Sequence, residues 1–131
     1  MMSQNSLTAI LAFFAAAVMM PASMKAEDKE SIYRHVVLFQ FKDSATAEQV
    51  ANIEKEFAKL KDKIDTVTGY EWGTNVSPEG LNDGLTHCFI VTFADKAGLE
   101  KYLPHPDHKA FVEKLLPILE KAVVVDFVPK D

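Results

Sequence analysis

The chain holds a single cysteine, Cys88, among its 131 residues, so no disulfide can form within one copy and stability must come from a small core. No cysteine lies near the end of the N-terminal apolar run, which rules out lipid attachment there. Positive charge is scarce as well. Fourteen Lys and Arg stand against nineteen Asp and Glu, for a net charge of −5. That balance excludes nucleic acid as a partner, because neutralising phosphates needs a basic face, and it disfavours anionic membrane surfaces. Internal repeats and low-complexity stretches are missing. So is a full spanning segment: the apolar run Leu7 to Met20 is shorter than the ~20 residues a membrane helix needs.

That run ends in Pro21-Ala-Ser-Met-Lys-Ala26 and gives way to Glu27-Asp-Lys-Glu30. A short apolar run with a small-residue ending reads as a secretory signal peptide. The expectation is a leader over 1–26, cleaved between Ser23 and Ala26, a linker over 27–32, and one domain over 33–131. The mature protein is then exported, to a periplasm or the exterior, with no stable membrane insertion. No Lys or Arg precedes the run, which leaves an uncleaved membrane anchor as the alternative.

Period-2 alternation begins at Tyr33-Arg-His-Val-Val-Leu-Phe-Gln-Phe-Lys42. His35, Val37, Phe39 and Phe41 share one face of this strand, Val36 and Leu38 the other. Thr46 with Gln49 forms a capping-box pattern ahead of a helix whose stripe is Val50, Ile53, Phe57, Leu60 and Ile64. Strands are predicted over Val67–Val76, Leu85–Phe93 and Ala122–Val128, with Gly69 and Gly73 hinting at a bulge or close backbone approach. A short helix capped by Asp95 precedes a second one opened by Pro106 and disturbed near Pro117. The order strand, helix, two strands, helices, strand points to an α+β fold: a four-stranded, mostly antiparallel sheet with helices on one face.

Strands one, three and four are apolar on both faces, whereas a sheet with one solvated face alternates more cleanly. The helices can cover one face only. A second copy is the simplest cover for the other, through Val36, Leu38, Cys88 and Ile90, as a two-fold homodimer. A monomer binding a different partner there is the alternative. Cys88 is expected as a packed free thiol at that interface.

The stretch Tyr102-Leu-Pro-His-Pro-Asp-His108 concentrates the chemistry. Pro104 ends one helix and Pro106 starts another, so His105 is a helix-start residue. His108, Phe111, Val112, Leu115 and Leu119 follow a helical period, which places His108 on the apolar face. An inward imidazole can do acid–base work, although a core histidine bonded to a neighbouring tyrosine or carbonyl is the plainer role. A zinc site of His35, His87 and His108 is conceivable. Its aromatic surroundings offer no acceptors to hold the rings, so no metal and no cofactor are expected. Asp126, between Val125 and Phe127, needs a partner. Arg34 or a lysine is expected, ahead of a pocket histidine. Trp72 and Gly73 read as structural.

Taken together, Arg34 to Lys42, Trp72-Gly73, Thr86-His87, Thr92-Phe93, the Tyr102…His105-Pro-x-His108 segment and Asp126-Phe127 resemble the stress-responsive A/B-barrel (Dabb) domain, a family of dimeric α+β barrels with ferredoxin-like subunits. Within that family the chain is similar to the olivetolic acid cyclase-type polyketide cyclases. The resemblance implies a pocket between sheet and helices with Val37, Phe39, Phe89, Phe111 and Val124 in its wall. It places His35, His87, Tyr102 and His108 among the pocket's polar residues, with His108 as general base and Tyr102 as its partner at a carbonyl. The chain departs from the cyclases at Ile53, Glu54, Phe57 and Leu119, where they are richer in aromatics. The expected function is an exported homodimer that binds a small apolar or aromatic ligand, or protects under stress. The alternative is a cofactor-free lyase or cyclase acting on a polyketide or β-keto substrate.

Overall fold

In the computed structural model, residues 32–131 are described. The leader expected over 1–26 and nearly all of the linker over 27–32 fall outside them. Four strands, β1 (Tyr33–Phe41), β2 (Val67–Thr74), β3 (His87–Phe93) and β4 (Leu119–Phe127), form one sheet in the order β2-β3-β1-β4. Every neighbouring pair runs antiparallel. Helix α1 (Ala47–Lys63) joins β1 to β2, while α2 (Lys96–Tyr102), α3 (Pro106–Leu115) and a 3₁₀ turn over Leu116–Ile118 join β3 to β4. This is the ferredoxin-like α+β arrangement.

Local chemistry sets the element ends. The Gln49 amide donates to the Thr46 hydroxyl at 3.1 Å, and the Thr46 amide donates to the Gln49 side chain at 2.9 Å, so the capping box opens α1 as expected. Asp95 accepts from the Gly98 amide and His105 Nδ1 accepts from the Asp107 amide, which starts α2 and α3. Pro117 confines the chain to the 3₁₀ turn, from which β4 starts at Leu119 and not at Ala122. β2 stops at Thr74 and β3 starts at His87, each two residues short of the sequence expectation. Of the two β2 glycines, only Gly69 meets a close neighbour: a Cβ there would sit 3.2 Å from Thr92, at a register shift, whereas Gly73 faces open space.

The core lies between the sheet and the helices. Val37, Phe39, Phe89, Val91 and Phe93 point up from the sheet, and Ile53, Phe57, Leu60 and Ile64 point down from α1. At its centre, the Phe57 and Phe89 rings stack at 4.3 Å. Such a pair adds roughly 0.5–1.5 kcal/mol beyond the area it buries. Glu56 ties α1 to α3 by accepting from Lys59 at 2.9 Å and Lys114 at 3.0 Å. On the opposite sheet face, no described element covers Val36, Leu38, Cys88 and Ile90, all of them half-buried. Val125 and Phe127 of β4 lie on that same face and are 54% and 44% exposed.

Candidate active site

Between the inner face of β1 and β4 and the helices α2 and α3 lies a cavity of about 310 Å³. This volume is near the lower end of the ~300–1,000 Å³ range of small-molecule sites. One end is polar, formed by His35, Asp126, Tyr102 and His108, and the other is apolar, with Phe57, Phe111, Leu115, Ala122 and Val124. A larger concavity of about 510 Å³ opens on the other sheet face, floored by Leu38, Cys88 and Ile90 beside the loop over 75–86. It belongs to the uncovered apolar face and not to the cluster of titratable groups.

The polar end follows from two local designs. Alternation along β1 sends His35 inward, and the β1–β4 register puts Asp126 directly opposite it. The His35 Nδ1–H donates to Asp126 at 2.7 Å, and the Tyr33 hydroxyl donates to the same carboxylate at 2.9 Å. This fixes the imidazole's orientation. Asp126 therefore pairs with the cavity histidine, not with Arg34 or a lysine as expected. The reason is parity: Arg34 lies one position along β1 and points to the other face, where it donates to the Thr92 hydroxyl at 3.0 Å.

The second design is the break between α2 and α3. Here the His108 Nδ1–H donates to the Leu103 carbonyl at 3.0 Å. With that proton on Nδ1, Nε2 keeps its lone pair in the neutral ring. Burial pushes the His108 pKa below its usual 6.5, the Leu103 bond offsets part of the shift, and His35 and His105 add to it. His108 is thus a neutral base at pH 7. The Tyr102 ring lies 4.6 Å from the His108 ring and 6.1 Å from that of His35. Burial, with a smaller effect of Tyr70, pushes its phenol far above the ordinary range, so it remains an O–H donor.

The structure gathers His35, Val37, Phe39, Tyr102, His108, Phe111 and Val124 around one cavity. It places the other two expected lining residues elsewhere. Phe89 is fully buried beneath Phe57. His87 sits at the far end of the sheet, where its Nε2–H donates to Glu54 at 2.8 Å and its Nδ1 meets the Thr86 hydroxyl at 2.8 Å. The half-exposed Trp72 stacks over this imidazole at 6.0 Å. His87 is remote from the cavity because it is the first residue of β3, opposite Phe39, and Glu54 on α1 meets it there. Among the described residues, no group of three His, Cys, Asp or Glu side chains is arranged to hold a metal ion.

The family model for the stress responsive A/B barrel domain matches residues 33–129. The chain belongs to that family. It is 35% identical over 103 residues to the stress-response A/B barrel domain-containing protein HS1 of Arabidopsis thaliana, covering 79% of this chain and 94% of that one. Against olivetolic acid cyclase of Cannabis sativa it is 28% identical over 97 residues, covering 74% and 96%. Among solved structures, the hydroxynitrile lyase of Passiflora edulis superposes with a TM-score of 0.73 at 26% identity, over 78% of this chain and 96% of that one. A dimeric ferredoxin-like protein from Thermobifida fusca superposes with a TM-score of 0.67 at 26% identity, over 76% and 92%. The A/B-barrel family thus includes a cyclase, and a lyase shares the fold.

Proposed function

We propose that this A/B-barrel protein is a cofactor-free lyase or cyclase for a small apolar or aromatic carbonyl compound. The observation that carries the reading is the pairing of a neutral imidazole with a protonated phenol at one end of an otherwise apolar cavity. In the forward step, His108 Nε2 removes a proton next to the substrate carbonyl, and Tyr102 donates a hydrogen bond to the oxygen as it gains charge. The resulting enolate attacks a second carbonyl of the same molecule to close a ring, and the proton held by His108 returns to the new alkoxide. In a lyase of the hydroxynitrile kind the same base takes the hydroxyl proton, the carbon–carbon bond breaks, and the leaving cyanide takes the proton. His35, oriented by Asp126, lines the same end and positions the oxygen. A cavity of about 310 Å³ suits one ring better than a long alkyl chain.

A module that only holds its ligand remains the second reading, favoured by the position of His108 on the apolar face of α3, where a core histidine also belongs. The readings part in a turnover assay with a β-keto thioester and with mandelonitrile in the presence of a chelator. Turnover of one of them, unaffected by the chelator, is expected. Binding without turnover of either would overturn the enzyme reading.

The uncovered face supports a homodimer, as in the Thermobifida relative. In this assembly, Val36, Leu38, Cys88 and Ile90 of one copy pack on the same face of the next, with Val125 and Phe127 extending the patch. Export of the domain after cleavage near Ala26 is part of the same proposal.

A further inference from the structure

A single row of inner-face residues crosses the sheet at the level of the polar cluster. Asp126 of β4 pairs with His35 of β1, His35 with Val91 of β3, and Val91 with Tyr70 of β2. One valine side chain therefore separates Tyr70 from the His35–Asp126 pair. The Tyr70 hydroxyl oxygen is shielded from solvent and, among the described residues, has no hydrogen-bond partner. Buried phenols normally find one, since an unmade hydrogen bond in the interior is costly. Glu54, the carboxylate that acts on Tyr70 electrostatically, is already committed to His87 at 2.8 Å. One ring contact leads from Tyr70 toward the cavity. Its ring lies 5.7 Å from that of Phe57, which lines the cavity and sits 4.8 Å from Phe111. Second to burial, the Tyr70 phenol also adds to the upward shift of the Tyr102 phenol's pKa.

We propose that Tyr70 is a second ligand-contacting donor. Its hydroxyl and that of Tyr102 converge on one oxygen of the bound molecule, making the site selective for a small carbonyl compound over a hydrocarbon of the same shape. Tyr70 does not itself line the cavity; the Phe57 ring, stacked on Phe89 at 4.3 Å, must tilt aside when the ligand enters. Two phenolic donors stabilise a carbonyl oxygen more as it gains charge than one does, which links Tyr70 to the step assigned to His108. The inference rests on the ligand-site reading above. The competing occupant is an ordered water held by the two phenols.

Titration of the full chain with benzaldehyde and with toluene, followed by NMR, separates these cases. The wild type is expected to prefer benzaldehyde. Tyr70→Phe is expected to weaken benzaldehyde binding by roughly tenfold, to leave toluene unchanged, and to keep or raise Tm, because it deletes an unpaired buried hydroxyl. An unaltered benzaldehyde-to-toluene ratio in the variant overturns the proposal in favour of water. A Tm lower by several degrees also overturns it, since the hydroxyl would then have a structural partner. If the wild type binds neither probe, the ligand-site reading itself fails and this inference with it.

Discussion

Replacing His108 with alanine is expected to lower turnover by about 10²–10⁴-fold, the range that a positioned general base supplies. The fold should survive. His108 is only half-buried, and its hydrogen bond to the Leu103 carbonyl closes the turn between α2 and α3 without anchoring the core. Phe111, packed on Phe57 of α1, and the buried Leu115 continue to hold α3 on the core. The loss should therefore appear in the chemical step, with circular dichroism and Tm close to wild type. The pH profile provides an independent check. The folded-state pKa of His108 lies below 6.5, so the base form predominates at pH 7 and is lost as pH falls through that lowered value. Activity should hold across neutral pH and decline on an acidic limb below 6.5, and that limb should vanish in any residual activity of His108→Ala. Equal turnover in variant and wild type would assign the base elsewhere.

A carboxylate at position 90 is expected to split the dimer. Ile90 lies near the middle of the uncovered face, directly across from Val36 on β1. In a monomer its side chain is half-exposed, so Ile90→Asp leaves the charge in water and the inner core untouched. In the dimer two copies of that charge would sit in a dry, isologous contact, at a cost of several kcal/mol per ion without a partner. Analytical ultracentrifugation should find wild type as a dimer and the variant as a folded monomer over the same concentrations. A variant that stays dimeric with unchanged affinity would place the interface on another surface. A wild type that sediments as a monomer would assign the face to a different partner.

Much of this fold is legible in the sequence because its signals are local. Period-2 alternation in β1 is enough to send His35, Val37 and Phe39 inward together, and the Thr46–Gln49 box marks the start of α1 within one residue. Pro104 and Pro106 force the break that gives His108 its carbonyl partner. What escaped the sequence is non-local. Asp126 finds His35 only through the β1–β4 register, fixed by residues some ninety positions apart. Likewise Tyr70 joins the same row only through the pairing of β2 with β3, and nothing about an isolated tyrosine in a strand says that its hydroxyl will be buried unpaired. His87 shows the limit of parity. Alternation gives its face correctly, but not that its place at the end of the sheet leaves it beyond the cavity, where Glu54 on α1 meets it.

The central claim is that His108 and Tyr102 together activate a carbon next to a carbonyl, and this can be measured before any natural substrate is known. Phenylacetaldehyde carries one ring and one carbonyl on a carbon with removable protons, and it is small enough for a cavity of about 310 Å³. Incubated with the protein in D₂O and followed by NMR, it should exchange its α-protons for deuterium faster than in buffer. That excess should disappear in His108→Ala and fall in Tyr102→Phe. Exchange at the buffer rate, with phenylacetaldehyde bound in the cavity, would contradict the account and leave a pocket that holds its ligand without acting on it.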